Sequence, residues 1–155
     1  MRGIRFAEKK DIKKIAEFLK IVDKEFVPPL SERGDINDRV RKEFSEGRYL
    51  VYEEDNNVVG ILCFFDKWKK ERCGYISILA VHPKMRGRGI GSKLIEYAIC
   101  RLKEKGVKDV YTRTWSTNKV GLRFYKRLGF MNDGIIINDR SKGIHTVYLK
   151  KFLIL

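Results

Sequence analysis

Long apolar runs are missing from this chain of 155 residues, and so are internal repeats and tracts of low complexity. A helix that crosses a membrane needs about 20 consecutive apolar residues, and no stretch approaches that. The opening Met1-Arg-Gly-Ile-Arg-Phe6 lacks the apolar core of a signal peptide. Cysteine is scarce: Cys63, Cys73 and Cys100 are odd in number and lack metal-ligand spacing. They read most simply as reduced thiols of a cytoplasmic protein, and a catalytic cysteine has no evident partner among them. The length suits one domain, 1–155, able to bury a sizeable core.

Positive charge is what the chain has in excess. Lys and Arg number 34 against 20 Asp and Glu, a net charge of +14, and charged residues make up 35% of the sequence. That balance suits nucleic-acid binding, attraction of a polyanionic cofactor, or a heat-adapted surface rich in Lys, Arg and Glu. The cations are spread along the sequence and no RNA-binding signature accompanies them. The last two readings are therefore preferred to the first.

Apolar residues are arranged in two periods. Ile4 to Ala7, Tyr49 to Tyr52, Val58 to Phe65, Cys73 to Val81, Asp109 to Trp115, Phe130 to Asn138 and Thr146 to Phe152 read as strands. Ile12, Ile15, Ala16, Leu19 and Val22 mark one helix face, with Asp11 near its start; Ile36, Val40 and Phe44 mark another, which Asp35 caps and Gly47 ends. Ile90, Leu94, Ala98 and Leu102 give a third helix stopped by Gly106, and Lys119 to Leu128 a fourth. Pro28-Pro29 breaks the chain between the first two helices. Lys67 to Arg72 is a charged connection containing Trp68, and Asp139 to Gly143 supplies the last turn. The predicted order is β-α-α-β-β-β-α-β-α-β-β, an α/β (α+β) chain. Its 75–115 segment forms a parallel crossover within a mainly antiparallel sheet that carries helices on both faces.

Two stretches carry chemistry. In Ala80-Val81-His82-Pro83-Lys84-Met85-Arg86-Gly87-Arg88-Gly89-Ile90-Gly91-Ser92 the glycines sit where a strand turns into a helix. The unpaired N–H groups and partial positive charge of a helix start bind anions, and Gly87, Gly89 and Gly91 put no Cβ in the way. Residues alone leave this as a phosphate-binding turn or merely a glycine-rich helix start. A Walker loop fails because Arg86 stands five before Gly91 and the order that follows is Ser92-Lys93; a dinucleotide fingerprint fails because Ser92 stands where a third glycine belongs. The second stretch is Asn118-Lys-Val-Gly-Leu-Arg-Phe-Tyr125-Lys-Arg-Leu-Gly129-Phe130. On residues alone it is a helix with Asn118 as N-cap and Gly129 as terminator.

Arg86-x-x-Gly89-x-Gly91 after an apolar strand resembles the pyrophosphate loop of the GNAT superfamily, the acetyl-CoA-dependent N-acetyltransferases. The Asn118–Phe130 stretch, in the right order behind it, resembles that superfamily's later motif, with Gly121 in place of the usual alanine. The resemblance covers the whole chain and is weakest over 23–48. It implies direct transfer of acetyl from acetyl-CoA to an amine, borne by a small molecule or a protein, without a metal. It further implies that Leu79, Ala80, Val81, Arg86, Gly87, Arg88, Gly89, Ile90, Gly91, Ser92 and Asn118 contact the cofactor. Within that set the Leu79 amide faces the acetyl oxygen, and Val81 holds pantetheine. Tyr125 is the implied general acid for the departing thiolate. A bulky residue at Gly89 is expected to weaken acetyl-CoA binding more than stability.

The general base is not assigned. Tyr75 stands where several members of the superfamily carry a Glu, and no carboxylate lies between Cys73 and Val81. Glu71 acting through a water, His145, Glu25 and Asp23 are the candidates. The acidic residues of 23–46 (Asp23, Glu25, Glu32, Asp35, Asp38, Glu43 and Glu46) either attract a cationic acceptor or form a solvated face with the Lys and Arg among them. The alternative from another class is a basic module with this fold and no catalysis, which contacts nucleic acid. No membrane partner is implied, and a homodimer is compatible with the sequence.

Overall fold

The computed structural model describes residues 2–153. Seven strands form one sheet: β1 (Arg2–Phe6), β2 (Arg48–Glu54), β3 (Asn57–Phe65), β4 (Cys73–Val81), β5 (Asp109–Trp115), β6 (Met131–Ser141) and β7 (Ile144–Phe152), in the spatial order β1-β2-β3-β4-β5-β7-β6. Every neighbouring pair is antiparallel except β4 and β5. Four helices complete the fold: α1 (Ile12–Val22), α2 (Ile36–Glu46), α3 (Ile90–Glu104) and α4 (Lys119–Arg127). The element order is the one the two hydrophobic periods predict.

Alternation along the strands splits the core into two layers. On one face Ile15, Leu19, Val22 and Val40 of α1 and α2 bury against Val51, Ile61, Ile78 and Ala80. On the other, Leu94, Ile95, Ala98 and Leu102 of α3 and Tyr125 of α4 bury against Leu50, Leu62, Ile76, Val147 and Leu149. In β4, Ile76 and Ile78 face opposite layers although they are two residues apart. The reason is a bulge: Cys63 pairs with Ile78 and Phe64 with Ile76, so Ser77 is an extra residue that reverses the alternation. The run Tyr75–Val81, apolar but for Ser77, carries no periodic mark of that reversal.

Helix ends follow local chemistry. The Asp35 carboxylate accepts from Asp38 N–H at 3.0 Å, which starts α2. Asp11 does not cap α1. It is buried, and it accepts from both Nη groups of Arg5 at 2.8 and 3.0 Å and from Glu8 N–H at 2.7 Å. Gly106 and Gly129 end α3 and α4 with positive φ. In each case the next N–H reaches back to a carbonyl one turn earlier, Val107 to Leu102 and Phe130 to Tyr125. The last hairpin departs from expectation. β6 runs to Ser141, and four residues between Ile136 and Ser141 bulge out of register. Asn138, at φ 56°, shapes that bulge by accepting from Gly143 N–H at 2.7 Å. No described helix is long and apolar enough to cross a membrane.

Candidate active site

The parallel pair β4 and β5 is joined only from Cys73 opposite Asp109 to Ile76 opposite Thr112. Beyond that the strands part, and a cavity of about 870 Å³ occupies the gap. Which backbone groups face it follows from the other edge of β4. His82 N–H bonds Val59 C=O at 2.8 Å, and bonding alternates along an antiparallel pair. Ile78 and Ala80 therefore bond to β3, whereas the N–H and C=O of Leu79 and Val81 point into the gap. The Val81 carbonyl already accepts from Arg86 Nε at 3.0 Å. The two Leu79 groups and the Val81 N–H are the peptide groups β4 offers there. Ala80 pairs its peptide groups with β3 and packs its side chain in the α1–α2 layer, and it still lines the cavity.

The glycine stretch lies at one end of this cavity. Gly89 is the N-cap of α3 in a left-handed conformation (φ 79°), Gly87 has φ 80°, and a Cβ on either would meet nothing within 4 Å. Both glycines are thus required by backbone conformation, and the space above them is free. Gly91 answers a different need: its Cβ would press on the Phe124 ring at 3.3 Å, so it permits close packing of α3 against α4. Ser92 lines the cavity, and Ile90 also contributes to the core. Arg86 lines the cavity and pairs with Glu25 at 2.6 Å. Arg88 is exposed and does not reach the cavity wall.

On the opposite wall, Asn118 caps α4 by accepting from Gly121 N–H at 3.0 Å and ties it to β5 by donating to Thr114 Oγ1 at 2.9 Å. Its amide fills the space beside Gly121, where a Cβ would collide with it at 2.2 Å. Both ends of Asn118 are thus engaged in placing α4, and the side chain also lines the cavity with one amide N–H and one carbonyl lone pair to spare. Tyr125 is buried at the cavity wall, its ring edge-on to Phe124 at 5.1 Å and Phe130 at 5.2 Å. Burial pushes its phenol up to about 12, with the Thr112 hydroxyl pulling the other way.

The candidate bases are dispersed. Glu71 is exposed and pairs with Lys67 at 2.8 Å; His145 Nδ1 accepts from Asn138 N–H at 2.9 Å; Asp23 is bound to Ser31. Among the described lining residues Glu25 is the only carboxylate. Of the other acids between 23 and 46, Asp35 caps α2, Asp38 pairs with Arg41, and Glu43 is buried, accepting from Arg39, Tyr49 and Ser77. Glu43 was legible only as part of a helix face, yet it holds both the β4 bulge and Arg39. Tyr75 lies on the cavity wall, stacked on Trp68 at 4.5 Å and accepting from Arg113 Nε at 2.6 Å. The lining also contains Arg33, Arg39, Arg113 and Arg140, which charge patterning along the sequence does not single out. No cluster of three or more metal-ligating side chains occurs among the described residues.

The sequence model of the Acetyltransferase (GNAT) family matches residues 15–130. The chain belongs to the GNAT family. Over 106 residues, 68% of the chain, it is 36% identical to N-alpha-acetyltransferase 30 of Xenopus laevis, of which it spans 39%; it spans 29% of the human protein of the same name. Solved GNAT-like structures share its fold. The ribosomal-protein-S18-alanine N-acetyltransferase of Escherichia coli superposes with a TM-score of 0.81 at 15% identity, covering all of this chain and 96% of that one. An aminoglycoside 6'-N-acetyltransferase complexed with coenzyme A superposes at 0.83 with 16% identity, covering 98% and 97%.

Proposed function

We propose that this GNAT chain is an N-acetyltransferase, moving acetyl from acetyl-CoA directly to the amine of an acceptor held in the same cavity. The observation that carries the reading is the parting of β4 and β5 beyond Ile76, which leaves unpaired peptide groups beside a helix N-terminus framed by two left-handed glycines. A pantetheine arm pairs with Leu79 and Val81 as an added strand would. Its diphosphate meets the first N–H groups of α3. Arg86 then leaves Glu25 or shares it with the phosphates. The coenzyme A complex of the aminoglycoside enzyme supports the choice of cofactor, and the N-alpha-acetyltransferase relatives support an α-amino acceptor.

In this reading the Leu79 N–H donates to the oxyanion that develops as the amine attacks, a kind of contact whose loss typically costs ~3 kcal/mol. Tyr125, across the gap, faces the sulfur. Its phenol stays protonated at neutral pH. Because burial has weakened it as an acid, full proton transfer to a thiolate of pKa near ~8.5 is uphill, so it acts by donating a hydrogen bond to the leaving sulfur. Titration calorimetry with acetyl-CoA tests the cofactor half, and release of free CoA thiol over a panel of amines tests transfer. Binding in the micromolar range, with thiol release that requires an amine, is expected. No heat at millimolar acetyl-CoA would overturn the reading.

A further inference from the structure

The acceptor end of the cavity is lined by arginine from four separate elements. Arg33 comes from the turn before α2, Arg39 from α2, Arg113 from β5 and Arg140 from the β6 bulge. They surround the Tyr75 half of β4. Tyr75 lies six residues, roughly 20 Å of strand, before Val81 and the glycine turn, beyond the reach of a diphosphate bound at α3. Arg39 is neutralised by Glu43 at 3.0 Å. Among the described residues no carboxylate lies within ion-pair distance of Arg33, Arg113 or Arg140.

Neutral groups hold these three in place instead. Arg33 donates through Nε and Nη2 to Pro28 C=O at 3.0 and 2.8 Å, Arg113 to the Tyr75 hydroxyl, and Arg140 to Thr146 Oγ1 at 2.7 Å and Val27 C=O at 3.1 Å. Such contacts fix a guanidinium and leave N–H groups free; Arg33 and Arg113 keep their charge uncancelled, whereas the Thr146 hydroxyl that holds Arg140 donates in turn to Asp139 Oδ2 at 2.5 Å and so brings one carboxylate near Arg140. The charges also act on one another: desolvation and then Arg140, Arg39 and Arg113 bring Arg33 down to about 10. Positioned guanidinium groups with free N–H groups, Arg33 and Arg113 exposed and Arg140 half-buried, present the planar donor forks that bind carboxylates bidentately.

We propose that the acceptor is an acidic α-amine, a molecule whose amino group lies within a few ångströms of one or two carboxylates that these arginines bind. Two sources share that chemistry: a free acidic amino acid, and a polypeptide beginning with Asp or Glu. The first is favoured by the contact of Arg140 with Val27, which ties the β6–β7 hairpin to the α1–α2 connection beside Phe26 and Trp115 and narrows the acceptor end. A polyamine or lysine side chain would meet like charge. The amine half of the inference rests on the acetyl-transfer reading; the anion half stands by itself.

The test uses the full chain with acetyl-CoA and paired acceptors, glutamate against glutamine and peptides beginning with Glu against the same peptides beginning with Gln. The acid should exceed its amide in kcat/KM by about 10- to 100-fold, the range for hydrogen bonds to charged groups. Arg33→Gln should raise KM for the acid until the preference falls below about 3-fold, with KM for acetyl-CoA unchanged. Arg140→Gln should do the same, and melting curves will show whether loss of its hairpin contact contributes. Turnover of glutamate alone, or of the acidic peptide alone, identifies the source. Calorimetry of glutamate and glutamine against the chain, alone and saturated with CoA, supplies a readout without catalysis. Preferential glutamate binding with no turnover of any amine would overturn acetyl transfer and leave the anion site standing. Equal use of acid and amide, or preference for a cationic amine, would overturn this inference alone.

Discussion

Tyr125 is held by its surroundings more tightly than a substrate-facing phenol needs. Its ring packs between Phe124 and Phe130, and its carbonyl accepts the N–H of Phe130 across the Gly129 terminator. Tyr125→Phe keeps all of that and removes the hydroxyl. We expect acetyl-CoA affinity within about 2-fold of wild type and a loss of stability of about 1 kcal/mol, since one buried hydrogen bond goes. Turnover should fall by ~100-fold, the low end of what losing a positioned hydrogen-bond donor to developing charge costs. The pH dependence has a definite sign. The active form is the protonated phenol, present below its raised value of about 12, so this group produces no fall in rate between roughly pH 8 and 10. A wild-type rate that declines near pH 9 and a Phe variant that does not would place an ordinary phenol in the role and contradict the burial argument. Unchanged turnover in Tyr125→Phe would remove Tyr125 from the chemistry.

At the level of elements, α3 and α4 are the parts that must be aimed. For Gly89, the expectation that substitution spares stability does not survive the backbone: at φ 79° any residue with a Cβ is strained by ~1–2 kcal/mol, although nothing is there to collide with it. Gly89→Ala should therefore lower the melting temperature of the free chain and weaken acetyl-CoA together. A separation of the two effects is expected at Asn118 instead. Asn118→Ala removes the α4 cap, for about 1 kcal/mol, together with the bond to Thr114. Because α4 carries Tyr125, kcat should drop more than acetyl-CoA affinity. Asn118→Asp keeps the cap acceptor and should restore most of the stability but not the Thr114 tie. If Asn118→Ala lost affinity first, the side chain would be a direct cofactor contact.

Across the whole molecule, stability at low pH should hinge on the tie between β1 and the start of α1. The Arg5 guanidinium holds the buried Asp11 carboxyl below its ordinary range, and Arg5 also holds Glu53 down. A carboxyl whose folded pKa is depressed stabilises the fold above its unfolded value of ~3.9, and that contribution disappears as pH falls through the lower folded value. Urea midpoints should therefore be flat from neutral pH to about pH 5 and drop below about pH 4. Arg5→Gln should cost about 2 kcal/mol at neutral pH, less than the ~3–5 of a fully buried pair, because Arg5 is 30% exposed and Asp11 keeps the Glu8 N–H. Loss of that acid-side drop in Arg5→Gln is the check; an unchanged profile would assign the acid sensitivity elsewhere.

The sequence by itself determined the elements, their order and the place of the glycine turn. Those depend on local quantities: apolar period, capping residues such as Asp35 and Asn118, and the terminators Gly106 and Gly129. It also carried the two motifs by which the family is recognised. Only the tertiary structure decided what the cavity presents. The Ser77 bulge, which the sequence does not mark, turns the free peptide groups of Leu79 and Val81 toward the gap and pairs those of Ala80 with β3, although Ala80 still lines the cavity. Of the acids of 23–46, offered by the sequence as a lure for a cation, Asp23, Asp35, Asp38 and Glu43 are engaged by Ser31, a helix cap, an ion pair and a buried anchor, and among the described residues Glu25 alone lines the cavity. The arginines that look scattered over 33–140 converge instead. Charge is additive along a sequence, but a field depends on distance, and only the folding of four separate elements onto the Tyr75 half of β4 sets those distances.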